Sequence, residues 1–162
     1  MKAMEITKDI VLPFILDQVS KPNQSQEVDD ALLTFFNDII LEVFEKIRDI
    51  YCVLTSLEII EELVINQGLK IEKIKNTYSQ NFVTKLLTAI SSPNLHVPQY
   101  NFKTRNNVYR IYSSISINKD LIQKLDTTLF ISCVLGAIEN EGDPRNLLLV
   151  FDLIHFVLLN FC

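Results

Sequence analysis

The segment Asn140-Glu141-Gly142-Asp143-Pro144-Arg145-Asn146-Leu147, with the apolar run that follows it to Cys162, constrains the fold more than any other part of the chain. Asp143 has the side chain of a helix N-cap, a carboxylate able to accept the orphan N–H groups of a first turn. Pro144 follows at the first helical position, where its missing N–H costs nothing. The helix predicted from there carries Arg145, Asn146, Asp152, His155 and Asn160 within about half of its circumference. The other half is Leu, Val, Ile and Phe throughout. Such a helix needs packing partners on two sides, which points to layers of helices. In a stack of hairpins its apolar half meets both the preceding hairpin and a partner helix of its own. Either another chain covers that face, or the 162 residues are a piece of a longer array. The second is the expectation, because repeat arrays normally end in a polar cap.

The rest of the sequence keeps the helical period. Helices are predicted at about 7–20 (kinked at Pro13), 26–41 (capped by Ser25), 45–66 (ending before Gly68), 70–91 and 103–116. A sixth spans about 118–139 with a break near Asp126, and a seventh starts after Asp143. Residues 92–102 form the one long loop. Three Gly and five Pro leave little material for β-turns or phosphate-cradling loops. Hairpins then start near residues 7, 45, 103 and 144. Two-helix repeats of about 40–47 residues mark solenoids of the HEAT and armadillo type. The run Ile10-Val11-Leu12-Pro13-Phe14-Ile15-Leu16, followed by Glu27-Val28-Asp29-Asp30-Ala31-Leu32-Leu33, resembles a HEAT unit. The expected fold is all-α: a HEAT/armadillo-like α-solenoid segment of about three helical hairpins plus a last helix. It reads as a single helical-repeat domain over residues 1–162.

Chemistry is hard to find. No phosphate-binding glycine loop, dinucleotide fingerprint, zinc-protease motif or nucleophile elbow is present. His96 and His155 lack companions at metal-ligand spacing, and His155 reads as the polar edge of its helix, three residues from Asp152. Asp29/Asp30 and Glu61/Glu62 are adjacent, so on a helix they diverge by about 100° and cannot work as an acid/base pair. The chain reads as a non-enzyme with no cofactor. Cys52, Cys133 and Cys162 are odd in number and far apart in apolar stretches, as for buried thiols of a reduced intracellular protein. The net charge of −5 argues against direct nucleic-acid binding. Tyr100, Phe102, Tyr109 and Tyr112 surround Lys103, Arg105 and Arg110, a cluster able to stack single strands. The helical spacing of Tyr109 and Tyr112 points instead to core packing. The run from Leu147 to Cys162 is interrupted by Asp152, His155 and Asn160 and is short for a membrane span. Glu5 and Asp9 make the N-terminus a poor signal peptide. The expectation is a soluble protein of the cytoplasm and nucleus.

Two blocks carry a family resemblance. Thr104-Arg105-Asn106-Asn107-Val108-Tyr109 fits the pattern Thr-Arg-x-x-Val-Tyr. Residues 140–147 fit Gly-Glu-x-Asp-Pro-Arg-Asn-Leu, with Asn140 in place of the Gly and Gly142 in place of a usual Lys or Arg. With weaker matches at residues 27–38 and 53–57, the stretch 26–161 resembles the N-terminal domain of the Mms-nineteen (Met-eighteen) family. Members are long HEAT-repeat scaffolds of the cytosolic iron–sulfur assembly targeting complex. The resemblance implies a non-catalytic adaptor that helps deliver clusters to apoproteins of DNA replication, repair and transcription. Its partners would be the other targeting subunits and the client apoproteins. It marks Thr104, Arg105, Val108, Tyr109, Glu141, Asp143, Pro144, Arg145, Asn146 and Leu147 as motif residues with a structural or interaction role. An unrelated HEAT-type adaptor, or a small helical metal- or nucleic-acid-binding protein, are the alternatives. Arg145 is expected to pair with an acidic neighbour or to span two hairpins by bonds to backbone carbonyls.

Overall fold

The computed structural model describes residues 50–61, 79–91, 96–117, 122–123 and 125–161, together with Asp9, Pro13 and Asp17. Apart from Asp9, Pro13 and Asp17, the helices expected at 7–20 and 26–41, and the stretches likened to a HEAT unit, lie outside these residues. The described elements are α1 (Ile50–Glu61), α2 (Ser79–Ile90), a 3-10 turn (Val97–Gln99), α3 (Phe102–Ser116), α4 (Thr127–Ile138) and α5 (Pro144–Phe161). Among the described residues there is no strand, and the architecture is all-α. The chain divides into two compact units, Met1–Ser79 and Gln80–Cys162.

In the first unit, α1 falls inside the span predicted at 45–66. Cys52, Ser56 and Ile59 share one face at helical spacing, and with Leu57 they are buried.

In the second unit local side-chain chemistry sets the helix limits. The α3 helix begins at Phe102, one residue earlier than expected, because Asn101 caps it. Its Oδ1 accepts from the Thr104 N–H at 3.1 Å and from the Thr104 hydroxyl at 3.3 Å. The predicted break near Asp126 is the start of a helix. Asp126 Oδ1 accepts from the Leu129 N–H at 3.1 Å, and α4 runs from Thr127. An Asp offered a choice between a helix interior and a cap takes the cap, where its oxygen replaces a missing carbonyl. Asn140 then turns the chain with φ of 59°, a left-handed conformation that Asn tolerates and most residues do not.

The α5 helix packs mainly along α3, and α4 touches both. Helices α3 and α5, separated in sequence by α4, thus lie side by side, as alternate helices of a solenoid do. Between them sit Tyr109, Ile111, Tyr112, Phe130 and Val134, all fully buried. Phe130 is the hub. Its ring meets Tyr112, Phe156 and Phe161 edge-on, with centroids at 6.2, 6.4 and 6.3 Å, so one α4 side chain touches both α3 and the far end of α5.

The α5 helix faces the core differently from the way its sequence sorts. It buries Asn146, Val150, Leu153 and Val157. Asn146 and Leu153 lie within the half assigned above to polar residues. From the apolar half, Phe151 and Leu158 are exposed instead. By length and composition α5 could cross a membrane, and 22% of it is buried in the fold. A hydrogen-bonded asparagine inside the core decides its orientation, as the next section describes.

Phe130→Ala should lower the stability of the second unit by about 3–5 kcal/mol, the usual cost of deleting a buried aromatic ring. Urea denaturation followed by circular dichroism measures it. A loss below about 1 kcal/mol would remove Phe130 from the centre of the core.

Candidate functional site

The two family blocks lie 36 residues apart in sequence and meet in space, because Arg105 on α3 reaches Glu141 in the turn before α5. Arg105 Nε donates to Glu141 Oε2 at 2.7 Å and Nη2 donates to Oε1 at 3.0 Å, a bidentate ion pair. The Glu141 side chain is 1% exposed and that of Arg105 17%. Three further donors complete the carboxylate's shell. Asn146 Nδ2 reaches Oε2 at 3.1 Å, the Asp143 N–H reaches Oε1 at 2.8 Å, and the Tyr109 hydroxyl lies 2.8 Å from Oε2. That hydroxyl is also 3.1 Å from the Ala137 carbonyl oxygen at the end of α4. Arg105 Nη1 donates to the carbonyl of Tyr100, just before α3. One carboxylate therefore ties together α3, the turn and the start of α5, and borders the end of α4.

Asn146 is the second anchor and is wholly buried. Its amide donates to the Phe102 carbonyl at 3.1 Å as well as to Glu141, and its oxygen accepts from Asn106 Nδ2 at 2.9 Å. Both hydrogens and the oxygen are used, so its burial carries no unsatisfied group.

Burial pushes the Glu141 carboxyl up. The hydrogen bonds from Arg105, Asp143, Tyr109 and Asn146 outweigh it and hold the group down at about 2. The Glu141 hydrogen bond raises the Arg105 guanidinium in turn. Burial, then the Glu141 carboxylate, raise the Tyr109 phenol well above its ordinary value. Every group in the cluster is fixed in one protonation state near neutral pH.

The cap is a separate, outer feature. Asp143 Oδ1 accepts from the Arg145 N–H at 3.0 Å, and the Asp143 carbonyl accepts from the N–H groups of Asn146 and Leu147. Arg145 folds back on the same carboxylate through Nε and Nη2, at 2.8 and 2.6 Å, and its guanidinium lies 3.2 Å over the centre of the Phe102 ring. These Arg145 hydrogen bonds hold the Asp143 carboxyl down at about 2. Of the two roles expected of Arg145, the structure shows the acidic neighbour. Arg105 is the arginine that bonds a backbone carbonyl and reaches the next layer.

The remaining motif residues take supporting places. Thr104 is buried under the Asn101 cap, Val108 is fully buried, Leu147 is half-buried, and Pro144 is the exposed first residue of α5. Sequence reasoning missed Asn101 and Asn106. The Asn101-to-Thr104 spacing is that of a capping residue and its target, so it carried a signal. Nothing local marks Asn106, whose partner lies 40 residues on.

A cavity of about 280 Å³ lies elsewhere in this unit, between the end of α2, the 3-10 turn and α4. Ser91, His96, Tyr112, Ser132, Cys133 and Glu139 supply its polar lining. Ser91 Oγ donates to Cys133 Sγ at 2.7 Å, and among the described residues the buried Tyr112 hydroxyl meets no partner of good hydrogen-bond geometry. Burial raises the Cys133 thiol, so this is not an activated nucleophile. Among the described residues no group of three His, Cys, Asp or Glu is placed to hold a metal ion.

The model of one family, described as Dos2-interacting transcription regulator of RNA-Pol-II, matches residues 5–162. This is the N-terminal domain of the Mms-nineteen proteins. The chain belongs to that family. In this Mms-nineteen domain the two motif blocks are the two halves of one polar joint between solenoid layers. No curated protein and no solved structure matches the chain.

Two measurements test the joint. The Glu141 and Asp143 carboxyls are depressed in the folded state, so their stabilisation is present above the ordinary carboxyl range. It should be lost as the pH falls from about 4.5 towards about 2. Glu141→Gln should remove its share of that acid slope and leave the share of Asp143, read from denaturation midpoints across the pH range. Asn146→Asp places a second carboxylate within hydrogen-bonding distance of Glu141. It should destabilise the domain by about 2–4 kcal/mol at neutral pH and recover partly under mild acid. An Asp variant as stable as the parent at pH 7 would contradict the contact.

Proposed function

We propose that this chain is a non-catalytic helical adaptor of the cytosolic iron–sulfur assembly targeting complex. In that role it helps deliver clusters to apoproteins of DNA replication, repair and transcription in the cytoplasm and nucleus. The observation that carries the reading is membership of the Mms-nineteen N-terminal family over residues 5–162. The site supports it. The motif residues are spent on joining two helical layers, and the ionisable groups among them are locked in ion pairs and hydrogen bonds. A scaffold needs a rigid backbone geometry over a long surface, and a charge-assisted joint between layers supplies it. The cluster is cargo in this reading, and the chain itself holds none.

The family's printed description favours a second reading, in which the chain regulates RNA polymerase II transcription through a protein partner. Affinity purification of the tagged chain with quantitative mass spectrometry separates the two. Enrichment of iron–sulfur targeting subunits or cluster-containing helicases and polymerases is the expected result. Enrichment of polymerase-associated regulators without them would move the function to transcription. Stoichiometric iron or zinc in the purified protein, or tight DNA binding at physiological salt, would overturn both.

A further inference from the structure

The walls of the cavity beside α4 sort into a buried floor and an exposed rim. Among the described residues they all come from positions 90–139, inside the second unit. Ile90, Val97 and Ala137 are buried and form an apolar floor. Ser91, His96, Ser132 and Glu139 are exposed and form a polar rim. The volume of about 280 Å³ is many times the roughly 15 Å³ that one water requires. An apolar floor ringed by polar groups is how an interface receives an anchoring side chain. The floor takes the side chain out of water, and the rim pairs with the main chain that carries it.

The lining has hydrogen-bonding capacity to spare. Among the described residues the side chains of His96, Ser132 and Glu139 engage no hydrogen bond or ion pair. Gly136 lies on the same wall, inside α4. A glycine there weakens the helix relative to alanine. Packing gives no reason for it, since a Cβ at Gly136 would meet no atom within 4 Å. What the missing side chain does is leave the α4 backbone bare at the edge of the cavity, where an extended chain can lie close. Charge narrows the occupant further. Glu139 puts an unpaired carboxylate on the rim of a chain whose net charge is −5, which favours a basic residue beside the anchor. We infer that this cavity docks an extended segment of a partner protein. The segment inserts one large apolar side chain, of the phenylalanine type, against Ile90, Val97 and Ala137, and sets a flanking lysine or arginine against Glu139. A protein as the source of the segment follows from the adaptor reading above.

The 162-residue chain, labelled with nitrogen-15, is titrated with the peptide acetyl-Ser-Phe-Lys-Lys-Ser-amide and followed by amide chemical shifts. Saturable shifts at Val97, Ser132 and Gly136 are expected, with a Kd of roughly 1 mM or tighter. Alanine in place of the peptide's phenylalanine should weaken binding about tenfold or more. Glu139→Lys, on the exposed rim, should weaken it about threefold or more. Gly136→Leu should fill the cavity and block binding at unchanged helix content. No saturable shift at these amides up to about 10 mM peptide would overturn the inference. So would equal binding of the alanine peptide, or a Glu139→Lys chain that binds like the parent. Phenethylammonium binding as tightly as the peptide would make this a small-molecule pocket and overturn the assignment to a protein segment. This titration of purified protein can fail while the purification from cells succeeds, and the reverse, so the two readings fall separately.

Discussion

The second unit depends on one carboxylate. Glu141 accepts five hydrogen bonds, two of them from a single guanidinium, at a place where three helices converge. A buried ion pair contributes little by itself, because removing two charges from water costs nearly what their attraction returns. Its value here is geometric. Arg105 meets the carboxylate edge to edge, Tyr109 approaches from the same helix one turn on, and Asn146 comes from the next layer. This arrangement of α3 against α5 satisfies all of these donors together. The apolar core supplies stabilisation without direction, and the clasp supplies the direction.

The two ends of the α3–α5 contact use different physics. At the start of α5 the contact is polar and specific, through Glu141 and Asn146. Towards its end it is aromatic, through Phe130 with Phe156 and Phe161. Hydrogen bonds fix register because their geometry tolerates little error, and edge-on rings fill volume while tolerating more. A layer joined in this way is rigid at one end and compliant at the other. The cap on Asp143 and the Arg145–Phe102 contact sit outside the joint. They stabilise the first turn without determining how the layers meet.

Much of this was legible in the sequence, and what was not has a clear cause. Asp143-Pro144 announced the start of α5, and Asp126 the break before α4, because capping is decided within a few residues. The spacing of Tyr109 and Tyr112 announced their burial. The all-α stack followed from helical periodicity and scarce glycine. The Arg105–Glu141 pair could be seen only as two matching blocks, since nothing local says that residues 36 apart will meet. The orientation of α5 was misread for a related reason. Periodicity counts asparagine as polar and turns it outward. Asn146 lies inside because its bonds to Phe102, Asn106 and Glu141 make burial cheap, and it draws Leu153 in with it. A long-range polar network overrode the amphipathic pattern.

Asn146 also acts as a rotational stop. One residue of slip turns a helix by 100°, so a joint held by apolar contact alone leaves the azimuth of α5 soft. Three bonds to one amide remove that freedom. A load applied to the outer face of α5 would be felt as torque about its axis, and the first element to resist is the amide on the opposite side. The polar clasp and the outer face are thus mechanically one lever, with the helix as its shaft.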